Sequence, residues 1–138
     1  MNLTLHLQIV GILMFGIVLL NFAVWRRFKW GEEIQRLSLL TRQVFVVHSF
    51  YIMLSVGAFG VLSLIYPQTL IDHTALARLV LLFLTIFWAS RLFMQLFVYD
   101  SSLWRGQRFN TFIHVTFTGI WAYFAAVYGY ALAQQWQG

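Results

Sequence analysis

The sequence predicts an all-α integral membrane protein in which four apolar helices cross the bilayer as an up-down-up-down bundle. Composition and pattern both indicate this class. Hydrophobic residues make up 61% of the 138 residues and charged residues only 9%, whereas soluble domains carry about 25% charged residues. The apolar residues also fall into four long runs, and a bilayer core about 30 Å thick needs ~20 helical residues to cross it.

The four predicted spans cover residues 5–25, 43–66, 75–99 and 109–133. Arg26 and Arg27 end the first run, and Pro67, the only proline, ends the second. Transmembrane strands would be about half as long and would alternate in polarity. The runs do neither, so we expect helices. Short loops make successive helices antiparallel neighbours, which predicts one bundle domain over residues 1–138.

The first two loops carry local signals of their own. In loop 1, Trp30, Ile34, Leu37 and Leu40 recur at helical spacing among polar residues. This pattern predicts a short amphipathic interfacial helix in the headgroup layer, and an ordinary helix that caps the bundle is the alternative. In loop 2, Asp72 is predicted to cap the start of the third span.

Basic residues predict the orientation in the membrane. They concentrate in the first and third loops: Arg26, Arg27, Lys29, Arg36, Arg42, Arg105 and Arg108. Cytoplasmic loops carry the excess of Lys and Arg, so we expect both termini on the non-cytoplasmic side of a bacterial inner membrane. Most of the Lys and Arg residues behind the net charge of +5 lie in these two loops, and we therefore expect no nucleic-acid partner.

Several function classes lack their characteristic residues. The chain has no cysteine, which excludes disulfides, thiol nucleophiles and iron–sulfur clusters. It has no HExxH zinc motif, no P-loop and no serine nucleophile elbow. No carboxylate lies within a predicted span, so the usual acidic centre of a proton pump is missing. The sequence identifies no catalytic group and leaves open whether the chain is an enzyme.

Polar side chains lie at a similar depth in all four spans. They are Asn21, His48, Arg91, Gln95 and His114. Counted from the cytoplasmic helix ends at 1.5 Å per residue, they lie roughly 6–12 Å below one interface. Polar groups in lipid are costly and tend to face the bundle interior. The sequence therefore predicts a polar slab that opens toward the cytoplasm.

The leading interpretation of this slab is a b-type haem. His48 and His114, on spans two and four, would be the metal ligands, since haem iron accepts axial imidazole. Arg42 would pair with the propionates, as would Arg91, Arg105 and Arg108. Arg91 and Gln95 would orient propionates or a quinone, with Asn21 completing the cofactor-binding slab. The predicted function is a small membrane redox protein that exchanges electrons with quinone.

Two other functions use the same residues. A cofactor-free accessory subunit of a respiratory or photosynthetic complex, or a homo-oligomer, would use the slab as a subunit contact. A lipid-binding protein would use Arg91 to clamp an anionic headgroup or a quinone carbonyl. Plainer roles also exist, because His48 and His114 can bond across helices and Arg91 can snorkel to the headgroups. His6 and His73, near the outer face, form a candidate second metal or haem site.

Overall fold

The computed structural model describes residues 2–27, 32–33, 35–98, 106 and 108–137, all as helix, turn or short connection. Five helices have described bounds: α1, Leu3–Arg27; α2, Leu39–Ile65; α3, Pro67–Ile71; α4, Ala75–Phe97; and α5, Arg108–Gln134. Four of them, α1, α2, α4 and α5, are long and apolar enough to cross a membrane. The all-helical fold and the number of candidate spans agree with the sequence-based prediction.

The second span is longer than predicted at its amino-terminal end. It begins at Leu39 instead of residue 43, because the Ser38 side chain caps it by accepting a hydrogen bond of 3.3 Å from the Thr41 amide. Serine is among the preferred N-cap residues. Leu40 thus belongs to α2 and not to a separate loop helix. Trp30 and Ile34 lie outside the described residues, so the interfacial helix stays a prediction.

A short helix joins the second and third spans. α2 ends at Ile65, and Pro67 is the first residue of α3, a position that suits proline because its missing N–H needs no partner there. The predicted capping role of Asp72 is wrong. The cap of α4 is Thr74, whose side-chain oxygen accepts a hydrogen bond of 3.1 Å from the Ala77 amide. Thr74 directly precedes the first helical residue, whereas Asp72 lies two positions too early.

The chain divides into two compact units, and the first comprises residues Leu7–Pro67. Its two helices approach closely at a pair of glycines. A Cβ atom added to Gly11 of α1 would lie 2.8 Å from the carbonyl oxygen of Gly60 on α2 and 2.8 Å from the Leu64 amide nitrogen. Small residues of this kind let transmembrane helices approach at backbone distance.

The second unit comprises residues Met1–His6 and Gln68–Gly138. Its main element is the antiparallel pair of α4 and α5. Gln95 near the end of α4 contacts His114 near the start of α5, while a Cβ added to Gly129 would lie 3.7 Å from Thr85. The interior of this unit is formed by the buried side chains of Leu81, Leu84, Trp88, Phe124 and Tyr128.

Candidate functional site

One face of α4 carries the polar residues predicted for the third span. Trp88, Arg91 and Gln95 are spaced by three and four residues, so they follow one another along a single stripe of the helix. Trp88 is 2% exposed and Gln95 is 7% exposed, while Arg91 is half-buried. The stripe therefore faces the protein interior, as a polar group in an apolar span is expected to do.

Gln95 and His114 form a hydrogen bond between α4 and α5. Gln95 Nε2 lies 2.8 Å from His114 Nδ1, and because an amide N–H only donates, the ring nitrogen accepts. The ring proton is then carried by His114 Nε2. The Thr118 hydroxyl donates to the His114 carbonyl at 2.7 Å, one turn further along α5. Two of the predicted slab residues are thus brought together.

Aromatic rings fill the interface one to two turns away from this hydrogen bond. The Trp88 and Trp121 rings stack with centroids 5.2 Å apart and an interplanar angle of 14°. Phe117 stacks on the same Trp121 ring at 5.4 Å, and Phe124 meets Trp88 edge-on at 4.8 Å. Pairs of this geometry contribute about 0.5–1.5 kcal/mol each beyond their buried area. The two indoles are consequently held in fixed positions.

Arg91 is positioned by the same aromatic group. Its Cζ atom lies 5.2 Å from the centroid of the Trp121 ring, within the distance at which a guanidinium is attracted by the ring face. We refer to Trp88, Arg91, Gln95, His114 and Trp121 as the α4–α5 cluster. It combines a cation, two indoles and a hydrogen-bonded amide–imidazole pair within the apolar spans.

Two donors in the cluster have no acceptor. The indole nitrogens Trp88 Nε1 and Trp121 Nε1 are buried, and neither has a hydrogen-bond partner in the part of the chain that the structure describes. A buried polar group left unpaired costs about 1–3 kcal/mol, and buried tryptophan N–H groups usually find a partner. These two indole N–H groups are therefore the donors that a bound acceptor could pair with.

The remaining predicted site residues lie elsewhere on the helices. His48 is exposed on α2, where its Nδ1–H donates to the Val44 carbonyl at 2.9 Å. Arg42 Nη1 donates to Gln35 Oε1 at 2.8 Å. Asn21 is half-buried on α1. Arg108 is exposed at the first position of α5, and Arg105 lies outside the described residues.

His6 and His73 each have a partner of their own. His6 Nδ1 lies 2.7 Å from the Tyr123 hydroxyl, and His73 Nδ1–H donates to the Gln135 carbonyl at 3.1 Å. Among the described residues, no group of three or more His, Cys, Asp or Glu side chains is placed to hold a metal ion. The two histidines therefore act as hydrogen-bonding residues in this structure.

The sequence-based prediction did not include the two tryptophans of the α4–α5 cluster. Trp88 and Trp121 are not among the predicted cofactor-binding residues, yet both are buried donors in the cluster. The signal that could have identified them is spacing, because Trp88 lies three residues before Arg91 and Trp121 lies seven after His114.

Comparison with protein-family models, curated proteins and solved structures gives no match.

Proposed function

We propose that the protein binds a membrane-soluble molecule that carries acceptor oxygens, a quinone or an anionic lipid, at the α4–α5 cluster. The observation that carries this proposal is the pair of buried indole N–H groups without an acceptor among the described residues. A ligand oxygen would supply that acceptor and remove the cost of about 1–3 kcal/mol that each unpaired donor imposes.

Arg91 supports the same class of ligand. It is the only ionisable residue of α4 between Arg78 and the end of the helix, and it lies over the Trp121 ring. A guanidinium in an apolar span attracts negative or electron-rich oxygen atoms. Because Arg91 is half-buried while Trp88 and Trp121 are buried, it marks the side from which such an oxygen reaches the indoles.

The Gln95–His114 pair adds a second polar group about one turn from Arg91. The pair adds an amide and an imidazole to the polar groups along this stripe. A quinone has two carbonyls on opposite sides of its ring, and a lipid phosphate has several oxygens. Polar groups along one stripe suit either molecule, since each presents more than one acceptor.

A b-type haem bound by His48 and His114 is the competing proposal. It is supported by His48, whose Nδ1–H donates to the Val44 carbonyl, so that Nε2 carries the lone pair a metal needs. His114 has the opposite arrangement, because its Nδ1 accepts from Gln95 and its proton is on Nε2. Ligation through His114 Nε2 would require the Gln95 amide to turn over. The acceptor-oxygen ligand is preferred because it would pair the buried indole N–H groups of Trp88 and Trp121. The accessory-subunit function stays a third proposal, in which the cluster contacts another chain.

The proposed location is a bacterial inner membrane with both termini outside. Support comes from the basic residues Arg36 and Arg42 around the start of α2 and Arg108 at the start of α5. Cytoplasmic segments carry such residues in excess. In this orientation the end of the cluster formed by Gln95 and His114 faces the cytoplasmic interface.

The test is the ligand retained through purification in a mild detergent. Solvent extraction and mass spectrometry should find near-stoichiometric quinone or anionic lipid with the wild-type protein. In the double variant Trp88→Phe/Trp121→Phe each position keeps a smaller aromatic ring without the N–H group. Retention should fall at least fivefold, since the loss of one donor alone is worth about 1 kcal/mol or more. Trp136→Phe, on an exposed residue, is the matched control.

The two sources of acceptor oxygen are distinguished by adding each back. When the wild-type protein is placed in nanodiscs of zwitterionic lipid, either a quinone or an anionic phospholipid is added. The protein should bind only one of these two molecules. Equal retention by the double variant and the Trp136→Phe control would overturn the proposal. A reduced-minus-oxidised spectrum with a Soret and an α band, lost in His48→Ala, would instead favour the haem.

A further inference from the structure

α2 presents an outward seam with a heptad pattern. Starting at Thr41, six exposed residues follow one another at alternating steps of three and four, and four of the six are polar: Thr41, Val44, His48, Tyr51, Ser55 and Ala58. We refer to these six residues as the α2 seam. A repeat of 3.5 residues is the spacing at which two helices pack along a left-handed crossing. The buried residues of α2, Val56, Gly60 and Ser63, are not part of this seam.

The α2 seam carries polar groups at a depth where lipid would surround them. The Tyr51 side chain is 59% exposed, and His48 and Ser55 are exposed as well. Among the described residues, the Tyr51 and Ser55 hydroxyls have no hydrogen-bond partner, and the only hydrogen bond of His48 is that from Nδ1–H to Val44. Polar side chains in a bilayer are expected to pair with one another instead of facing lipid tails.

We infer that the α2 seam binds the α2 seam of a second copy of the chain. The seam contains both halves of a donor–acceptor pair. His48 Nε2 can only accept, because Nδ1 holds the ring proton, and the Tyr51 hydroxyl can donate. The two residues are three positions apart, about 4.5 Å along the helix axis.

Symmetry makes the pairing reciprocal. Copies inserted in the same direction are related by a two-fold axis along the membrane normal, which places equal residues at equal depth. His48 of one copy then lies opposite the turn that carries Tyr51 of the other, and the axis repeats the contact. The small side chains of Ser55 and Ala58 allow close approach further along the same seam. A different polypeptide would have to supply its own donor opposite His48 and its own acceptor opposite Tyr51.

This inference does not depend on the proposed ligand, because the α4–α5 cluster is on other helices. The absence of cysteine makes single-cysteine cross-linking in native membranes a direct test. Ser55→Cys and Ala58→Cys should give disulfide-linked dimers on mild oxidation. Val46→Cys and Phe50→Cys are the controls, since both residues are exposed on α2 but lie on the side of the helix away from the seam. The seam variants should give at least tenfold more dimer than the controls.

A second measurement concerns the polar pair itself. Tyr51→Phe removes only the hydroxyl, and it should raise the dimer dissociation constant in nanodiscs or detergent about tenfold. Tyr66→Phe, at another exposed tyrosine, should leave the constant unchanged. Equal cross-linking at seam and control positions, a monomeric protein, or cross-links from Ser55→Cys to a different polypeptide would each overturn the inference.

Discussion

Gln135 joins the last span to the short helix α3 through one side-chain amide. Its Nε2 donates to the carbonyl oxygens of Leu70, Ile71 and Asp72 at 3.0, 3.3 and 2.9 Å. The final carbonyls of a helix have no partner within the helix, and Gln135 satisfies those of α3 from outside. The residue is 4% exposed, so water cannot easily replace this donor.

Replacing this amide should destabilise the fold. Gln135→Met keeps the length of the side chain but removes the N–H group, leaving the Leu70 and Ile71 carbonyls without this donor at a cost of about 1–3 kcal/mol. The Asp72 carbonyl keeps its hydrogen bond from the Thr74 amide. Thermal unfolding in detergent should therefore show a lower Tm. Gln134→Met changes the neighbouring, half-buried glutamine and should have little effect. Similar Tm values for the two variants would mean that the three hydrogen bonds contribute nothing measurable.

Residue partners were only partly predictable from the sequence. Counting from helix ends placed Gln95 and His114 at one depth, and the structure joins them. Helical periodicity cannot identify contacts between distant segments, however. His6 meets Tyr123, which is 117 residues away, and His73 meets Gln135, which is 62 residues away. The sequence also could not show that α4 is capped by Thr74 and not by Asp72. Both residue types cap well, and only the exact first residue of the helix decides which of them is the cap.

At the scale of helices, Gly11 and Gly60 set the approach of α1 to α2. A Cβ at Gly11 would come within 2.8 Å of backbone atoms on α2, and backbone cannot move aside as a side chain can. By contrast, a Cβ at Gly16, on the same helix, would meet nothing within 4 Å. Alanine substitutions at Gly11 and Gly16 therefore differ in crowding between the helices, while the gain in helix propensity from alanine is the same at both positions.

Gly11→Ala should force the helices apart. The expected cost is about 1–3 kcal/mol, the usual range for overpacking, seen as unfolding at lower SDS fraction or lower temperature. Gly16→Ala should be neutral or slightly stabilising, because alanine favours helix by up to about 1 kcal/mol over glycine. If Gly11→Ala is as stable as Gly16→Ala, the close approach of the two backbones is not maintained in the membrane.

The helices themselves were largely predictable, and their ends were not. Apolar runs of about 20 residues gave four spans that match the structure within a few residues, because hydrophobic length is a strong signal. The amino-terminal extension of α2 depends on the Ser38 cap, which lies in a polar segment without apolar character. The sequence does not predict the five-residue α3, because Pro67 indicates the end of a span, although proline also suits a first helical position.

The orientation of the whole molecule is testable with the same cysteine-free background. If the basic segments are cytoplasmic, Gln137→Cys should react with an impermeant maleimide added to intact spheroplasts. Arg36→Cys should react only after the membrane is opened. Both positions are exposed, so accessibility to solvent does not separate them. The reverse labelling pattern would invert the proposed topology and place the Gln95 end of the cluster outside.

The first turn of α1 belongs to the same compact unit as the end of the chain. Thr4 accepts a hydrogen bond of 3.1 Å from Gln68, and His6 meets Tyr123 on α5. Ribosomes deliver this chain from its amino terminus, so the start of α1 leaves the translation machinery well before either partner has been made. Until α5 follows, His6 of the nascent chain has no Tyr123 hydroxyl to contact. Completion of this unit is thus a late event in biogenesis, and a chain truncated before Tyr123 would lack the contact however well its earlier helices insert.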